Sequence, residues 1–244
     1  MLGSAFCELL KDSLGHHFLS KGQVDITSPQ SINNINDFQG QRYIINCGAY
    51  TDVDGCEVNP KHAIKVNKYG PLHLAQYCYK RDITLVHFST DYVFPGNHNA
   101  PQDEDDETYP LNVYGKSKLA GELEIKAIHE KHYIFRLQWL FGKNGKNFID
   151  TIRNINCPAV VTDQKGSPSW TNDIARCVLE FLQNKPPYGT YHLTSQGNCS
   201  LFEFARYFKE NTIRAKEYPR QAIRPKYNVL DTNKVRLYCM PMHW

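Results

Sequence analysis

Tyr114 and Lys118 stand four residues apart in Tyr114-Gly115-Lys116-Ser117-Lys118, and on a helix that interval puts both side chains on one face. An ammonium would then lie beside a phenol. A free tyrosine ionises near pH ~10, so using its proton near pH ~7 needs about 4 kcal/mol of help for the phenolate, which one lysine at ~4 Å in an effective dielectric of ~20 supplies. Such a pair can pass a proton to or from a carbonyl or alcohol oxygen. The same spacing also occurs by chance on solvated helices, so the flanking elements decide its weight.

Those elements supply a scaffold. The run from Ile83 to Ser89 is short, apolar and β-branched, which predicts a buried parallel strand, and it ends in Ser89-Thr90-Asp91-Tyr92-Val93-Phe94. Hydroxyls therefore fall at a strand's carboxyl end, where ligands bind in open α/β sheets. Pro110-Leu111-Asn112 leads into a helix expected over 113–130, whose Leu119, Leu123, Ala127 and Ile128 form a core-facing stripe. Around this unit the pattern alternates: a helix at 6–14, strands at 17–19 and 43–46, a helix at 61–79 and a strand at 133–139. Beyond Gly142 the pieces shorten, with expected segments at 147–154, 159–162, 172–183, 190–194 and 201–210. This rhythm predicts a doubly wound parallel α/β sheet over 1–141, with 142–244 building mostly a small substrate-binding lobe and returning some segments to the sheet.

Several motifs together resemble the extended short-chain dehydrogenase/reductases, and among them the dTDP-4-dehydrorhamnose reductase family. They are Ser89 to Phe94, Pro110 to Glu122, Arg136-x-x-Trp139, Asn46 to Asp54, Val66-Asn67, Asp163 to Pro168, Arg224-Pro225 and Leu230 to Lys234, in the family's order. The resemblance implies a Rossmann-like fold and hydride transfer from NADPH, with NADH as the other candidate, to the C4 ketone of a nucleotide-linked 4-keto-6-deoxy sugar. It gives Tyr114 the proton, lets Lys118 lower the tyrosine's pKa and bind the nicotinamide ribose, and has Thr90 hydrogen-bond the ketone oxygen. Asn67 would support Lys118 through a water. Cofactor contacts are implied at Leu2, Gly3, Asp25, Ile26, Cys47, Gly48, Ala49, Ser89, Tyr114 and Lys118, and substrate contacts at Thr51, Val53, Thr90, Tyr92 and Trp139. Trp139 can equally be core. Arg136-Leu137-Gln138-Trp139 departs from the family's Arg-Thr-Ser-Trp, which places larger side chains near the sugar.

A dinucleotide fold opens with a strand and a glycine-rich turn. Here Met1-Leu2-Gly3 aligns with the last glycine of Gly-x-x-Gly-x-x-Gly, so the first strand and part of the loop are expected to be lacking, through a truncated or miscalled start. Without that central strand its two neighbours would expose bare edges, and phosphate binding would weaken. A pseudoenzyme is the competing reading. The segment Ser20-Lys21-Gly22 after the strand at 17–19 offers a hydroxyl and a cation rather than an acid, which favours a 2′-phosphate and thus NADPH.

Composition bounds the rest. A chain of 244 residues with 41% hydrophobic content can bury a substantial core, and a formal net charge of +3 with dispersed Lys and Arg argues against nucleic acid as a partner. No apolar run approaches a membrane span and no basic leader precedes one, so a cytoplasmic protein is expected. Eight cysteines without a CxxC pair predict buried free thiols, with Cys47 a packing substitution for a small residue beside the cofactor, and no metal site. The acidic run Asp103 to Glu107 reads as a solvated loop. A homodimer is compatible with this reading. Three function classes stay open: a nucleotide-sugar reductase or epimerase, a non-catalytic regulator resembling the methionine adenosyltransferase β subunit, and a short-chain reductase of another carbonyl.

Overall fold

The computed structural model describes residues 1–244 except 36–39, 98 and 217–219. In chain order the first half holds α1 (Leu2–Leu10), α2 (Pro29–Asn33), β1 (Tyr43–Asn46), α3 (Val53–Val58), α4 (Pro60–Ile64), a π-helical turn Lys65–Tyr69, α5 (Gly70–Arg81), β2 (Thr84–Thr90), α6 (Val113–Ile128) and β3 (His132–Leu137). The second half holds β4 (Leu140–Phe141), α7 (Phe148–Asn154), β5 (Ala159–Val161), β6 (Lys165–Gly166), β7 (Ser169–Trp170), α8 (Thr171–Gln183), β8 (Gly189–His192), β9 (Cys199–Ser200), α9 (Leu201–Phe208) and β10 (Ile213–Ala215).

Four parallel strands form the main sheet in the order β1-β2-β3-β8, with Ile45 opposite Val86, Phe88 opposite Phe135 and Phe135 opposite Tyr191. Every residue of β2 is buried, as expected of a strand covered on both faces. Its side chains alternate. Leu85 joins Leu74, Ala75, Cys78 and Ile125 on the α5 and α6 side, whereas Val86 and Phe88 join Phe6, Ile174, Val178 and Phe181 on the α1 and α8 side. The second half thus returns α8 and β8 to the main sheet. Two smaller cores lie apart from it, one of Ile152, Val160, Leu201 and Phe202 and one of Ile149, Cys199 and Phe204.

Three expected elements differ. The helix expected at 6–14 runs instead over Leu2–Leu10 and ends before the exposed turn at 11–15. Residues 17–19 form no strand and are exposed, because a strand exists only against a ladder partner and none lies beside them among the described residues. Among the described residues β1 pairs with β2 alone and is an edge of the sheet. The helix expected over 61–79 is helical from Pro60 to Arg81 but carries the π-turn in its middle. That extra residue turns Asn67 inward, where α6 sits so close that a side chain at Gly121 would collide with the Asn67 carbonyl.

Candidate active site

Helix α6 is aimed by its first turn. Asn112 caps it, accepting from Gly115 N–H at 2.8 Å while its own amide donates to Ile223 O, and Val113 N–H donates to Glu57. Gly115 has no room for a β-carbon, since one would strike the Tyr92 carbonyl. The tight approach brings Tyr114 edge-on to Tyr92, with ring centroids 5.8 Å apart at 78°. Thr90 lies beside the phenol, and its hydroxyl favours the ionised form of Tyr114. Thr90 Oγ1 also accepts from Tyr92 N–H at 3.2 Å and lies 2.9 Å from Asp91 Oδ1. Both of these partners are protein groups.

The expected ion-to-phenol contact takes a different form. Lys118 Nζ donates to Phe88 O and stands 3.4 Å from His87 Nε2. Desolvation pushes the Tyr114 pKa up, and the neighbouring Asp91 and Tyr92 push it further against the pull of the Thr90 hydroxyl. Burial also works on the lysine, lowering its pKa to about 8 against the opposing pull of Glu122. Lys118 is not among the largest influences on the Tyr114 pKa. Asn67 likewise acts elsewhere: its amide brackets Tyr50, accepting from its N–H and donating to its carbonyl, and donates to Ser117 Oγ. It holds the loop after β1 against α6 rather than reaching Lys118.

Behind the hydroxyls lies a polar group that sequence reading missed. Asp91 is 3% exposed, and its Oδ2 accepts from Gln138 Nε2 and Asn228 Nδ2, each at 2.8 Å. Gln138 Oε1 takes Ser167 N–H, so this side chain ties the strand end to the following turn instead of facing a sugar, and Leu137 lies in the main core. Burial raises the Asp91 pKa to about 6 despite these hydrogen bonds. His87 is the second omission. Asn46 Oδ1 accepts from Gly48 N–H, which points its Nδ2 at His87 Nδ1, 3.1 Å away. Burial and the nearby ammonium hold this imidazole well below the usual histidine range. A histidine inside an otherwise apolar strand was the available signal; nothing in the sequence marked Asn228.

The remaining expected residues divide into groups. Gly3 at the start of α1 faces Cys47 at the carboxyl end of β1, and a β-carbon there would sit 3.4 Å from that of Cys47. Ile26 packs against Gly48 and Gly70, and Ala49 follows in the same loop. Asp25 lies beside them with its Oδ1 accepting the Thr27 N–H and O–H, which holds its carboxyl below the usual range. Leu2 is buried in the main core. The first-turn amides of α1 have no intrahelical acceptors, and Ser89 Oγ is buried with no partner. A helix start, a glycine crevice and an orphaned hydroxyl along the carboxyl ends of β1 and β2 fit a dinucleotide. Thr51 is exposed, Val53 opens α3 behind the Asp52 cap, and Trp139 stacks on Phe204 in the second lobe, at φ 40°.

All eight cysteines are free thiols, and Cys56, Cys78, Cys177, Cys199 and Cys239 are buried as expected. Cys47 and Cys157 are exposed, Cys47 because it lines the open crevice. Within the acidic run, Glu104 departs from a solvated loop by accepting His192 N–H at 2.7 Å. Among the described residues, no helix is long and apolar enough to cross a membrane and no cluster of three acidic, His or Cys side chains could hold a metal ion.

An open parallel sheet with Thr90 at the carboxyl end of β2, and Tyr114 and Lys118 on the helix α6 packed against it, is the architecture of a Rossmann-type oxidoreductase of the short-chain dehydrogenase/reductase class. The chain belongs to the family described as RmlD substrate binding domain, which matches residues 1–244. It is 36% identical over 231 residues to the dTDP-4-dehydrorhamnose reductase of Mycolicibacterium smegmatis, covering 88% of this chain and 70% of that protein. It is 32% identical to the spore coat polysaccharide biosynthesis protein SpsK of Bacillus subtilis, over 100% of this chain and 90% of that one. Among solved structures it resembles a dTDP-4-dehydrorhamnose reductase of Clostridium acetobutylicum with a TM-score of 0.93 and 36% identity, covering 100% of this chain and 91% of that one. A Bacillus anthracis dTDP-4-dehydrorhamnose reductase in complex with NADP matches with a TM-score of 0.88 at 33% identity, over 97% and 91% of the two chains.

Proposed function

We propose that this protein reduces the C4 ketone of dTDP-4-dehydrorhamnose with NADPH, in dTDP-rhamnose biosynthesis. The observation that carries the reading is the juxtaposition of Tyr114 with the Thr90-to-Tyr92 turn at the carboxyl end of β2, within a family of dTDP-4-dehydrorhamnose reductases. NADPH, when bound, supplies the hydride. The first-turn amides of α1 with Leu2 and Gly3 would receive its phosphates, while Asp25, Ile26, Cys47, Gly48 and Ala49 form the crevice for its adenosine half. Ser89 and Lys118 would hold the nicotinamide ribose, and Tyr114 would give its proton to the oxygen that gains charge. Thr51, Val53, Thr90, Tyr92 and Trp139 are the proposed substrate contacts, with residues 142–244 as mostly the substrate-binding lobe. A cytoplasmic homodimer completes the proposal. Mixing the protein with NADPH and dTDP-4-dehydrorhamnose tests it. Loss of nicotinamide absorbance with formation of dTDP-rhamnose is the expected result, and no NADPH consumption would overturn it.

A further inference from the structure

The chain leaves the main sheet within two residues. Strand β3 ends at Leu137 in the main core, and β4 at Leu140 already pairs with β7, away from that sheet. Between them Trp139 sits at φ 40°, a left-handed conformation that a bulky side chain keeps only when its surroundings hold it there. Gln138, the residue before it, supplies the hold. It is 2% exposed, and its amide meets three separate segments. Nε2 donates to Asp91 Oδ2 and to Asn228 O, each at 2.8 Å, and Oε1 accepts from Ser167 N–H at 2.6 Å. A backbone N–H can only donate and a carbonyl only accept, so one orientation of the amide satisfies all three.

These partners connect the site to the second half of the chain. Asp91 Oδ1 lies 2.9 Å from Thr90 Oγ1, so Gln138 is one carboxyl group removed from the hydroxyl that ends β2. Ser167 stands in the turn between β6 and β7 and donates from its Oγ to Gly197 O. Asn228 N–H donates to Lys165 O on β6, while its Nδ2 donates to Asp91 O at 2.7 Å. The fit is close: a β-carbon on Gly166 would lie 2.7 Å from Gln138 Cδ, and its three nearest atoms all belong to that amide. A serine, as in the Arg-Thr-Ser-Trp pattern from which this chain departs, has one donor where two are needed.

We infer that Gln138 is a positioning residue for the substrate: it locks the segments beyond β3 against the Thr90-to-Tyr92 turn and holds Trp139 in its left-handed turn. The inference rests on the reductase reading, in which Thr90, Tyr92 and Trp139 touch the sugar nucleotide. Those contacts come from both sides of the joint. With the joint intact their spacing is set before substrate arrives; without it, binding must first order them, and that cost falls on KM. Tyr114 is aimed separately, by the Asn112 cap of α6. The crevice proposed for NADPH is built from α1 and the loop after β1, and the three partners of Gln138 lie elsewhere.

Gln138→Met keeps the length of the side chain and removes the amide. Initial rates with NADPH and dTDP-4-dehydrorhamnose should show KM for the sugar nucleotide raised by about 10-fold to 10²-fold and kcat lowered by less than about 3-fold. NADPH affinity in a fluorescence titration should be unchanged. Calorimetric binding of dTDP-rhamnose, which needs no turnover, should weaken by the same factor as KM rises. Gly166→Ala displaces the amide through its β-carbon and should raise KM in the same direction, so the test survives a Gln138→Met that fails to fold. A glutamine that merely stabilised the fold would lower the unfolding midpoint and the active fraction and leave KM of the folded protein alone. That result, with dTDP-rhamnose affinity unchanged, would overturn the inference. A wild type that binds dTDP-rhamnose yet never consumes NADPH would overturn the reductase reading, while weakened binding in the two variants would still support the joint. A wild type that does neither would overturn both.

Discussion

Lys118 Nζ stands 3.4 Å from His87 Nε2, and only one of these nitrogens can donate to the other. Asn46 fixes the choice: its Nδ2 points at His87 Nδ1, so the neutral ring carries its proton on Nε2. His87 therefore favours the uncharged amine, in the same direction as the burial that lowers the Lys118 pKa to about 8.

From this contact follows an alkaline limb. Binding the nicotinamide ribose with an ammonium requires Lys118 protonated, so kcat/KM should fall as pH rises through about 8. Lys118→Met should abolish that limb and weaken NADPH binding at once. His87→Leu removes the Nε2–H that supports the neutral amine and should move the limb to higher pH. Initial-rate profiles of the three proteins decide it, and a limb unmoved by Lys118→Met would assign it to another group.

Asp91 makes the opposite demand on stability. Its folded pKa of about 6 exceeds the ordinary 3.8, so between these values the folded state binds more protons than the unfolded one. Stability from this group is thus highest below about 4 and declines as pH rises through about 6. Asp91→Asn keeps the hydrogen bonds without the buried charge, and should stabilise the protein at pH ~7 by about 2–3 kcal/mol, an advantage that fades toward pH ~4. Denaturant unfolding at both pH values measures it. Equal differences at the two would mean that Asp91 does not titrate as burial requires.

The legible part of this chain was its local chemistry. Tyr43–Asn46 is bounded as its β-branched run predicts, and Ser89-Thr90 does end a buried strand. Where side chains turn was not legible, because direction depends on tertiary neighbours. Lys118 shares a helix face with Tyr114, yet it reaches the Phe88 carbonyl, which no helical spacing encodes. Asn228 meets Asp91 across 137 positions of sequence, and no local pattern marks such a contact. The strand expected at 17–19 had the right residue types and lacked a partner, which propensity alone does not register.

Helix α6 can deliver Tyr114 only if it approaches both the π-turn and the Tyr92 turn. Gly121 permits the first approach, since a β-carbon there would overlap the Asn67 carbonyl. Backbone on both sides leaves no flexible side chain to yield. Gly121→Ala should therefore push α6 outward, destabilise the protein by about 1–3 kcal/mol despite alanine's better helix propensity, and lower kcat through misplacement of Tyr114. A variant with raised stability and unchanged kcat would show that the two helices can separate freely.

Tyr114→Phe tests the phenol itself. It deletes a single oxygen at a ring packed edge-on against Tyr92, so the ring contact persists and cofactor affinity should barely change. Turnover should fall by about 10²–10⁴, because no other described group donates a proton at that position. Retained turnover would remove Tyr114 from the reaction.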